Sequence, residues 1–125
     1  MTMEFERIWV LKIYTAEDVY YNDKPLFNAI IEEARRLEIA GATVFKCIEG
    51  YATEARGLER RPLIRFSEPT NLPIVLEIID KKAKLQLILP FLEKNMKTGM
   101  VTFEGRTRLV TNYLREMRGT NKITE

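Results

Sequence analysis

The order of predicted strands and helices indicates an α+β protein with the ferredoxin-like split βαβ fold. Two βαβ halves follow one another in the 125 residues of the chain. In each half, two short strands rich in β-branched residues flank an amphipathic helix. This order predicts a four-stranded antiparallel sheet with two helices on one face, followed by a C-terminal helix. The length fits one domain over residues 1–125, with a core at 7–108 and a tail at 109–125.

The first half begins with the strand Ile8–Tyr14, which consists mostly of β-branched and aromatic residues. A polar loop over residues 15–24 precedes Pro25, a residue that suits the first turn of a helix. Apolar residues then recur at helical spacing up to residue 37. The second strand is predicted over residues 42–49.

The second half begins with a third strand over residues 72–79. Asp80 follows it and is predicted to cap the N-terminus of the second helix. Pro90 lies in the middle of that helix and predicts a kink. A short fourth strand is predicted at Met100–Arg106. The tail then keeps helical spacing of its apolar residues to about Gly119.

A long segment between the second and third strands, residues 50–71, has neither helical nor strand periodicity. Loops of more than about 12–15 residues within a compact domain are usually functional or disordered. Arg56, Arg60 and Arg61 lie in this loop among glutamates. They are candidates for contact with a partner protein, and a solvated, charge-balanced loop is an equally weighted alternative.

Alternation along each strand divides the sheet into two faces. The face expected beneath the helices contains Trp9, Leu11, Ile13, Thr43, Phe45, Cys47, Ile74, Leu76 and Ile78. The opposite face contains Ile8, Val10, Lys12, Tyr14, Val44, Lys46, Ile48, Val75, Glu77 and Ile79. Each strand places a single charge among apolar neighbours on this second face, so we expect it to pack against other subunits. The alternative is a monomer in which the C-terminal helix covers it.

Composition argues against several classes of function. The chain has no histidine, and it has no zinc spacing, nucleophile elbow, P-loop or GxGxxG motif, which argues against an enzyme. Its formal net charge of +2 is too small to indicate nucleic-acid binding. Cys47 is the single cysteine and is expected to be a buried thiol. Without a membrane-length apolar run or a secretory segment, a cytoplasmic location is expected.

Several segments together carry a resemblance to a known family: Lys12–Tyr14, Lys24–Leu26, Leu37–Val44, Ile48–Tyr51, Leu72–Asp80, Leu89–Leu92 and Gly99–Thr102. They resemble domain-of-unknown-function family number 190 over roughly residues 8 to 108. That family is grouped with the PII-like signalling proteins. The resemblance implies a homotrimer built on the sheet faces and a flexible loop between the second and third strands. It also implies adenine-nucleotide binding in clefts between subunits, beside the base of that loop.

Nucleotide contacts are accordingly expected at Thr43, Glu49, Gly50, Tyr51, Ala52, Gly99, Met100, Val101, Arg106 and Arg108. By the resemblance, Thr43 faces the adenine, and Arg106 and Arg108 hold phosphates. The chain departs from the PII pattern at Ala52, where a glycine is usual, and at Met100, where a basic residue is usual.

Part of the case for an anionic ligand is independent of the family. Gly50 and Gly99 allow backbone N–H groups to approach a phosphate closely. A purely structural role of both glycines in turns is an equally weighted alternative. Arg106 and Arg108 alternate onto one face of a strand, and paired guanidinium groups suit phosphate. Tyr51 either stacks on a base or packs in the core or an interface, and packing is favoured.

The leading hypothesis is a non-enzymatic, trimeric sensor that binds AMP, ADP or ATP, requires no cofactor and engages an unidentified target protein through the 50–71 loop. A second hypothesis is a ligand-independent interaction module that regulates a partner such as a membrane transporter. It would dock through the loop and the basic residues Arg108, Arg115 and Arg118. A small enzyme with Glu49 or Glu17 as base ranks lowest.

Overall fold

A computed structural model describes residues 2–50 and 72–124 of the chain, with side chains described up to residue 119. The described elements are β1 (Phe5–Ala16), β2 (Tyr20–Tyr21), β3 (Lys24–Pro25), α1 (Leu26–Arg36), β4 (Gly41–Lys46), β5 (Pro73–Asp80), α2 (Lys82–Leu85), α3 (Leu89–Asn95), β6 (Met100–Leu109) and α4 (Asn112–Thr124). Four of the strands form one sheet in the order β4-β5-β1-β6, and every neighbouring pair is antiparallel. The predicted ferredoxin-like α+β fold is confirmed.

The hydrophobic core lies between one face of the sheet and the helices α1, α2 and α3. Its buried members are Leu11, Ile13, Leu26, Ile30, Ala34, Ile74, Leu76, Ile78, Leu85, Ile88 and Leu92. Burial of a side chain of leucine or isoleucine size contributes about 1.5–3 kcal/mol. This cluster is therefore what holds these three helices on the sheet and fixes which face points away from them.

The segment expected as a polar loop after β1 contains a small hairpin. Tyr21 pairs with Lys24 across the two-residue turn Asn22–Asp23, and Asn22 has a left-handed φ of 57°. Asparagine tolerates this backbone region better than most residues. The Tyr21 ring packs against Phe91 of α3 at a centroid distance of 5.5 Å, so a tertiary aromatic contact orders a segment that looks polar in sequence.

The second helix is divided rather than kinked, and Asp80 is not its side-chain cap. The Asp80 carboxylate accepts hydrogen bonds from the backbone N–H of Lys81 at 2.6 Å and of Ala40 at 2.9 Å. It therefore ties the end of β5 to the segment that follows α1. Pro90 occupies the first turn of α3, where a missing N–H costs little, and a turn at residues 86–88 separates α3 from α2.

The predicted faces of β4 are reversed. In its pairing with β5, Val44 lies opposite Leu76, while Thr43 lies opposite Glu77 and Phe45 opposite Val75. Residues directly opposite each other in an antiparallel pair share a face. Val44 therefore packs towards the core, and Thr43 and Phe45 lie on the face away from the helices. Adjacent apolar side chains in this short edge strand leave its alternation ambiguous in sequence.

The C-terminal helix α4 is attached to the N-terminal end of β1. The backbone N–H of Val110 donates to the carbonyl oxygen of Glu4 at 2.8 Å. Arg115 pairs with Glu4 at 3.4 Å and Arg118 with Glu6 at 2.5 Å. Because Glu6 lies on the sheet face away from α1, α2 and α3, the helix approaches that face at this one end.

Candidate functional site

The sheet face that points away from α1, α2 and α3, here termed the open face, is built from rows of side chains that run across the strands. One row contains Phe45, Val75, Tyr14 and Met100, and the next contains Thr43, Glu77, Lys12 and Thr102. The first row is apolar and the second is polar. Phe45 is 46% exposed although it belongs to the apolar row.

The base of the 50–71 segment lies at the same end of the sheet as Gly99. Cys47 donates its backbone N–H to the carbonyl oxygen of Pro73 at 3.0 Å, and a Cβ on Gly50 would lie 2.8 Å from Pro73 Cγ. Met100 lies opposite Tyr14 at the corresponding end of β6. β5 and β6 are two strand spacings apart, about 10 Å. The segments at Gly50 and Gly99 therefore lie at the same end of the sheet, here termed the loop-base end.

Gly99 has a left-handed backbone conformation, with φ at 108°. A residue with a Cβ is strained there, so the sequence requires glycine at the entry to β6. A groove of about 590 Å³ lies between α3 and this turn, lined by Leu89, Leu92, Glu93, Met96, Lys97, Thr98, Gly99, Met100 and Val101. Val101 lies opposite Ile13 on the helix side, so its side chain points away from the open face.

The reversal of β4 places Thr43 on the open face rather than beneath the helices. Its hydroxyl group therefore shares a surface with Met100, as a site on that face requires. The same correction moves Phe45 onto the open face, beside Val75 and Tyr14. The sequence interpretation assigned neither Phe45 nor Tyr14 to a site. The structure places Thr43 opposite Glu77, and the polarity of Thr43 was the signal in the sequence that could have fixed the register.

Arg106 and Arg108 lie on the open face, as their alternation predicted, but at the opposite end of β6. They pair with Ile8 and Glu6 of β1, six and eight strand positions from Met100, or about 20–26 Å. This opposite end of the face is termed the C-terminal end. Within one subunit, the structure does not bring these arginines together with Gly99.

Both arginines at the C-terminal end are engaged by carboxylates. Arg106 contacts Glu104 at 3.1 Å and Glu77 at 3.6 Å, and Glu77 also lies 3.8 Å from Lys12. Arg108 donates to Glu6 from Nε at 2.7 Å and from Nη2 at 2.5 Å.

Glu6 accepts hydrogen bonds from two arginines, Arg118 and Arg108. These bonds, with that from Arg118 the stronger influence, lower the pKa of the Glu6 carboxyl group below its ordinary value. The group is therefore held as a carboxylate, and it joins α4 to the edge strand β6.

The remaining predicted residues fall in two groups. Glu49 follows β4 directly before Gly50, at the loop-base end. Tyr51, Ala52, Arg56, Arg60 and Arg61 lie outside the described residues. Near this end, Glu17 pairs with Lys46 at 3.2 Å.

The basic surface proposed for direct partner docking is largely neutralised by the protein itself. Arg108 and Arg118 share Glu6, and Arg115 contacts Glu4 at 3.4 Å and the Asn112 side chain at 2.7 Å. A partner using these arginines would have to displace the carboxylates. This observation does not favour the ligand-independent alternative.

Within the described ranges, no three histidine, cysteine, aspartate or glutamate side chains form a cluster suited to a metal ion. Cys47 is half-buried. None of the helices described is both long and apolar enough to traverse a bilayer. On the central strands β1 and β5, Tyr14 is the one aromatic residue of the open face in the part of the chain described, whereas sheet-based RNA readers stack bases on several.

The sequence model of the DUF190 family, described as "Uncharacterized ACR", matches residues 8–107. The chain belongs to the DUF190 family. A curated relative, the UPF0166 protein of Aquifex aeolicus strain VF5, is 34% identical over 95 residues, which are 76% of this chain and 87% of that protein. This DUF190 protein thus resembles that relative along most of its length.

Solved structures similar to this DUF190 protein include a PII-like signaling protein from Thermus thermophilus. The TM-score is 0.54 at 21% identity, covering 90% of this chain and 98% of that one. Another is CPII, a nitrogen regulatory PII-like protein from Thiomonas intermedia, solved with ADP, AMP and bicarbonate. It gives a TM-score of 0.55 at 13% identity, over 86% of this chain and 92% of that one. The PII-like fold is confirmed.

Proposed function

We propose that this DUF190 protein is a trimeric, non-enzymatic PII-like regulatory protein that binds an adenine nucleotide at the loop-base end, in clefts between subunits. The observation that carries the proposal is that the Gly50 and Gly99 segments lie at the same end of the sheet. The nucleotides bound to CPII, a protein of the same fold, support it.

The side chains and backbone at the loop-base end suit the two parts of a nucleotide. Glycine segments present backbone N–H groups that a phosphate can approach closely. The row formed by Phe45, Tyr14 and Met100 offers an apolar surface for a base, and Thr43 in the next row supplies a hydroxyl group. Phosphate would lie towards Gly50 and Gly99, and the base towards the strands.

A cleft between subunits accounts for two features of the open face. The exposed Phe45 ring lies on the edge strand β4, where a neighbouring copy can cover it. Arg106 and Arg108 are too far from Gly99 within one subunit, so only a neighbouring subunit can bring them to a nucleotide held there. Their present pairing with Glu77, Glu104 and Glu6 would then have to be loosened.

Signalling would proceed through the 50–71 segment. Gly50, its first residue, packs on Pro73 at the proposed nucleotide site. A nucleotide shifts a conformational equilibrium only if it binds the two states with different affinity, and contacts at Glu49 and Gly50 would supply that difference. A target protein would recognise the segment in its nucleotide-bound conformation.

Isothermal titration calorimetry with AMP, ADP, ATP and cyclic AMP tests this proposal. We expect saturable binding of at least one nucleotide, and about tenfold weaker binding for Thr43→Val, since one hydrogen bond to the base is lost. Thr107→Val is the matched control, because Thr107 is also an exposed threonine on an edge strand.

Absence of binding heat for all four nucleotides would reject nucleotide binding. Equal weakening by Thr43→Val and Thr107→Val would remove Thr43 from the site. If the protein binds a target protein equally well with and without nucleotide, that result would instead support the ligand-independent interaction module.

A further inference from the structure

The single tryptophan of the chain, Trp9, has two cations close to its ring on the helix side of the sheet. The Arg7 guanidinium carbon is 5.6 Å from the centre of the Trp9 ring, and the Lys82 Nζ is 4.7 Å from it. Phe103 packs against the same indole at 5.2 Å. Each cation is attracted to the π-electrons of the ring, but the two positive charges repel each other. An anion between or beside them would relieve that repulsion.

The position of the Arg7 side chain depends on a glycine in the neighbouring strand. Gly105 lies opposite Trp9 in the pairing of β1 with β6. A Cβ at position 105 would lie 2.6 Å from Arg7 Nη2 and 2.9 Å from Nε. Any side chain there would push the guanidinium away, so the bare backbone of Gly105 provides the space that Arg7 occupies.

The carboxylate nearest in register is hydrogen-bonded to the backbone and forms no ion pair with these cations among the described residues. Asp80 lies opposite Trp9 on β5, but its two oxygens accept backbone N–H groups, from Lys81 at 2.6 Å and Ala40 at 2.9 Å. Across the described parts of the chain, no carboxylate forms an ion pair with Arg7 or Lys82. As far as the described residues go, the site holds two positive charges without an ion-pair partner, which gives it capacity for an external anion.

We propose that Arg7, Trp9 and Lys82 form a binding site for a phosphate-bearing anion. Both cation distances are measured to one ring, so the charges lie within about 10 Å of each other, within reach of one diphosphate group hydrogen-bonded at both ends. The guanidinium group supplies a planar fork for phosphate oxygens, and the ammonium group supplies a point charge.

This phosphate site is separate from the proposed nucleotide site. Trp9 lies five positions along β1 from Tyr14, about 17 Å, and on the other face of the sheet. The proposal therefore stands or falls independently of nucleotide binding at the loop-base end.

The indole N–H of Trp9 gives one signal in a ¹H–¹⁵N NMR spectrum, because the chain has a single tryptophan. Titration with inorganic phosphate and then diphosphate, in a phosphate-free buffer at constant ionic strength, is expected to shift this signal saturably. Arg7→Gln and Lys82→Gln should each abolish saturation. Lys94→Gln, a change of the same kind on α3, should leave it intact.

Gly105→Ala tests the geometry while keeping both charges. Displacing the guanidinium removes a charge-assisted hydrogen bond to phosphate, so we expect about tenfold weaker binding. Gly41→Ala is the matched control, since Gly41 is also in an edge strand of the same sheet and a Cβ there meets no atom within 4 Å.

Three results would overturn the proposal: a signal that does not saturate, a shift that chloride reproduces at the same ionic strength, or a saturable shift that persists in both Arg7→Gln and Lys82→Gln. Loss of the Trp9 response with nucleotide binding intact in calorimetry would reject this site alone. The reverse pattern would reject only the proposed function.

Discussion

The two ends of the open face differ in whether their polar groups are already paired within the protein. At the C-terminal end, Arg108 and Arg118 share the Glu6 carboxylate, and Arg106 contacts Glu104 and Glu77. At the loop-base end, glycine backbones and an apolar row face outward instead.

This difference separates a region that holds the fold together from a region that has capacity for a ligand. Charged groups that already have partners contribute to stability, and a ligand must displace those partners in order to use them. Exposed backbone and apolar groups carry no such cost. The loop-base end is therefore where binding is expected, and the C-terminal end is where substitutions should act mainly on stability.

The largest effect is expected from a charge placed in the apolar row of the loop-base end. In the proposed trimer, Phe45→Glu would bury a carboxylate without a partner at each subunit contact. We expect the concentration at which the trimer dissociates to rise more than about a hundredfold. Light scattering coupled to size-exclusion chromatography measures this directly.

Leu87→Glu is the control for this substitution. Leu87 is 52% exposed and Phe45 is 46% exposed, but Leu87 lies in the turn between α2 and α3 on the helix side. It should leave the assembly unchanged. A wild-type protein that is monomeric at micromolar concentration, or a Phe45→Glu variant that remains trimeric, would contradict the role of this row.

A smaller effect is expected from Glu6→Gln at the C-terminal end. Arg108 and Arg118 would lose their shared charged acceptor, and partly exposed ion pairs of this kind contribute about 1 kcal/mol to the free energy of unfolding. Urea denaturation at pH 7 should show that loss, while nucleotide affinity at the loop-base end should not change.

The pH dependence of the Glu6 effect has a definite sign. The arginines lower the pKa of Glu6 in the folded protein relative to its ordinary value of 4.5. The stabilisation is therefore complete above about pH 4.5 and is lost as the pH falls through the lowered folded-state pKa. Wild type and Glu6→Gln should converge in stability at low pH.

Glu93→Gln on α3 serves as the control for Glu6→Gln. A surface substitution away from an ion pair usually changes stability by less than about 0.5 kcal/mol. If Glu6→Gln also changes the free energy of unfolding by less than this at pH 7, the arginine network does not stabilise the C-terminal end. That result would contradict the proposed difference between the two ends of the open face.

Much of the fold followed from sequence because its strongest signals are local. β1 and β5 are rich in β-branched residues, and α1 has an apolar stripe, so the βαβ order was predictable from local sequence. The hairpin at Tyr21 was not, because a contact with Phe91, distant in sequence, orders it.

The candidate site was less predictable because it depends on register and on pairing between distant residues. A one-residue ambiguity in β4 moved Thr43 and Phe45 to the wrong face. Gly50 and Gly99 each follow or precede a strand closely, so their shared end of the sheet follows from the strand order alone. The ion pair between Arg108 and Glu6 joins residues about a hundred positions apart, so no local sequence pattern predicts it.

The smallest effect tests whether the loop-base end also leaves polar groups unsatisfied in its interior. Thr15 is 2% exposed at this end of β1, and its hydroxyl oxygen has no hydrogen-bond partner among the residues described. A buried hydroxyl without a partner loses its hydration and gains nothing in return. Thr15→Val keeps the shape of the side chain and removes that group, so we expect the free energy of unfolding to rise by about 0.5–1 kcal/mol.

Thr107→Val, the same change at an exposed position, should have no comparable effect in urea denaturation. A loss of stability in Thr15→Val would mean that the hydroxyl group is satisfied in solution, and that the two ends of the sheet differ only at their surface.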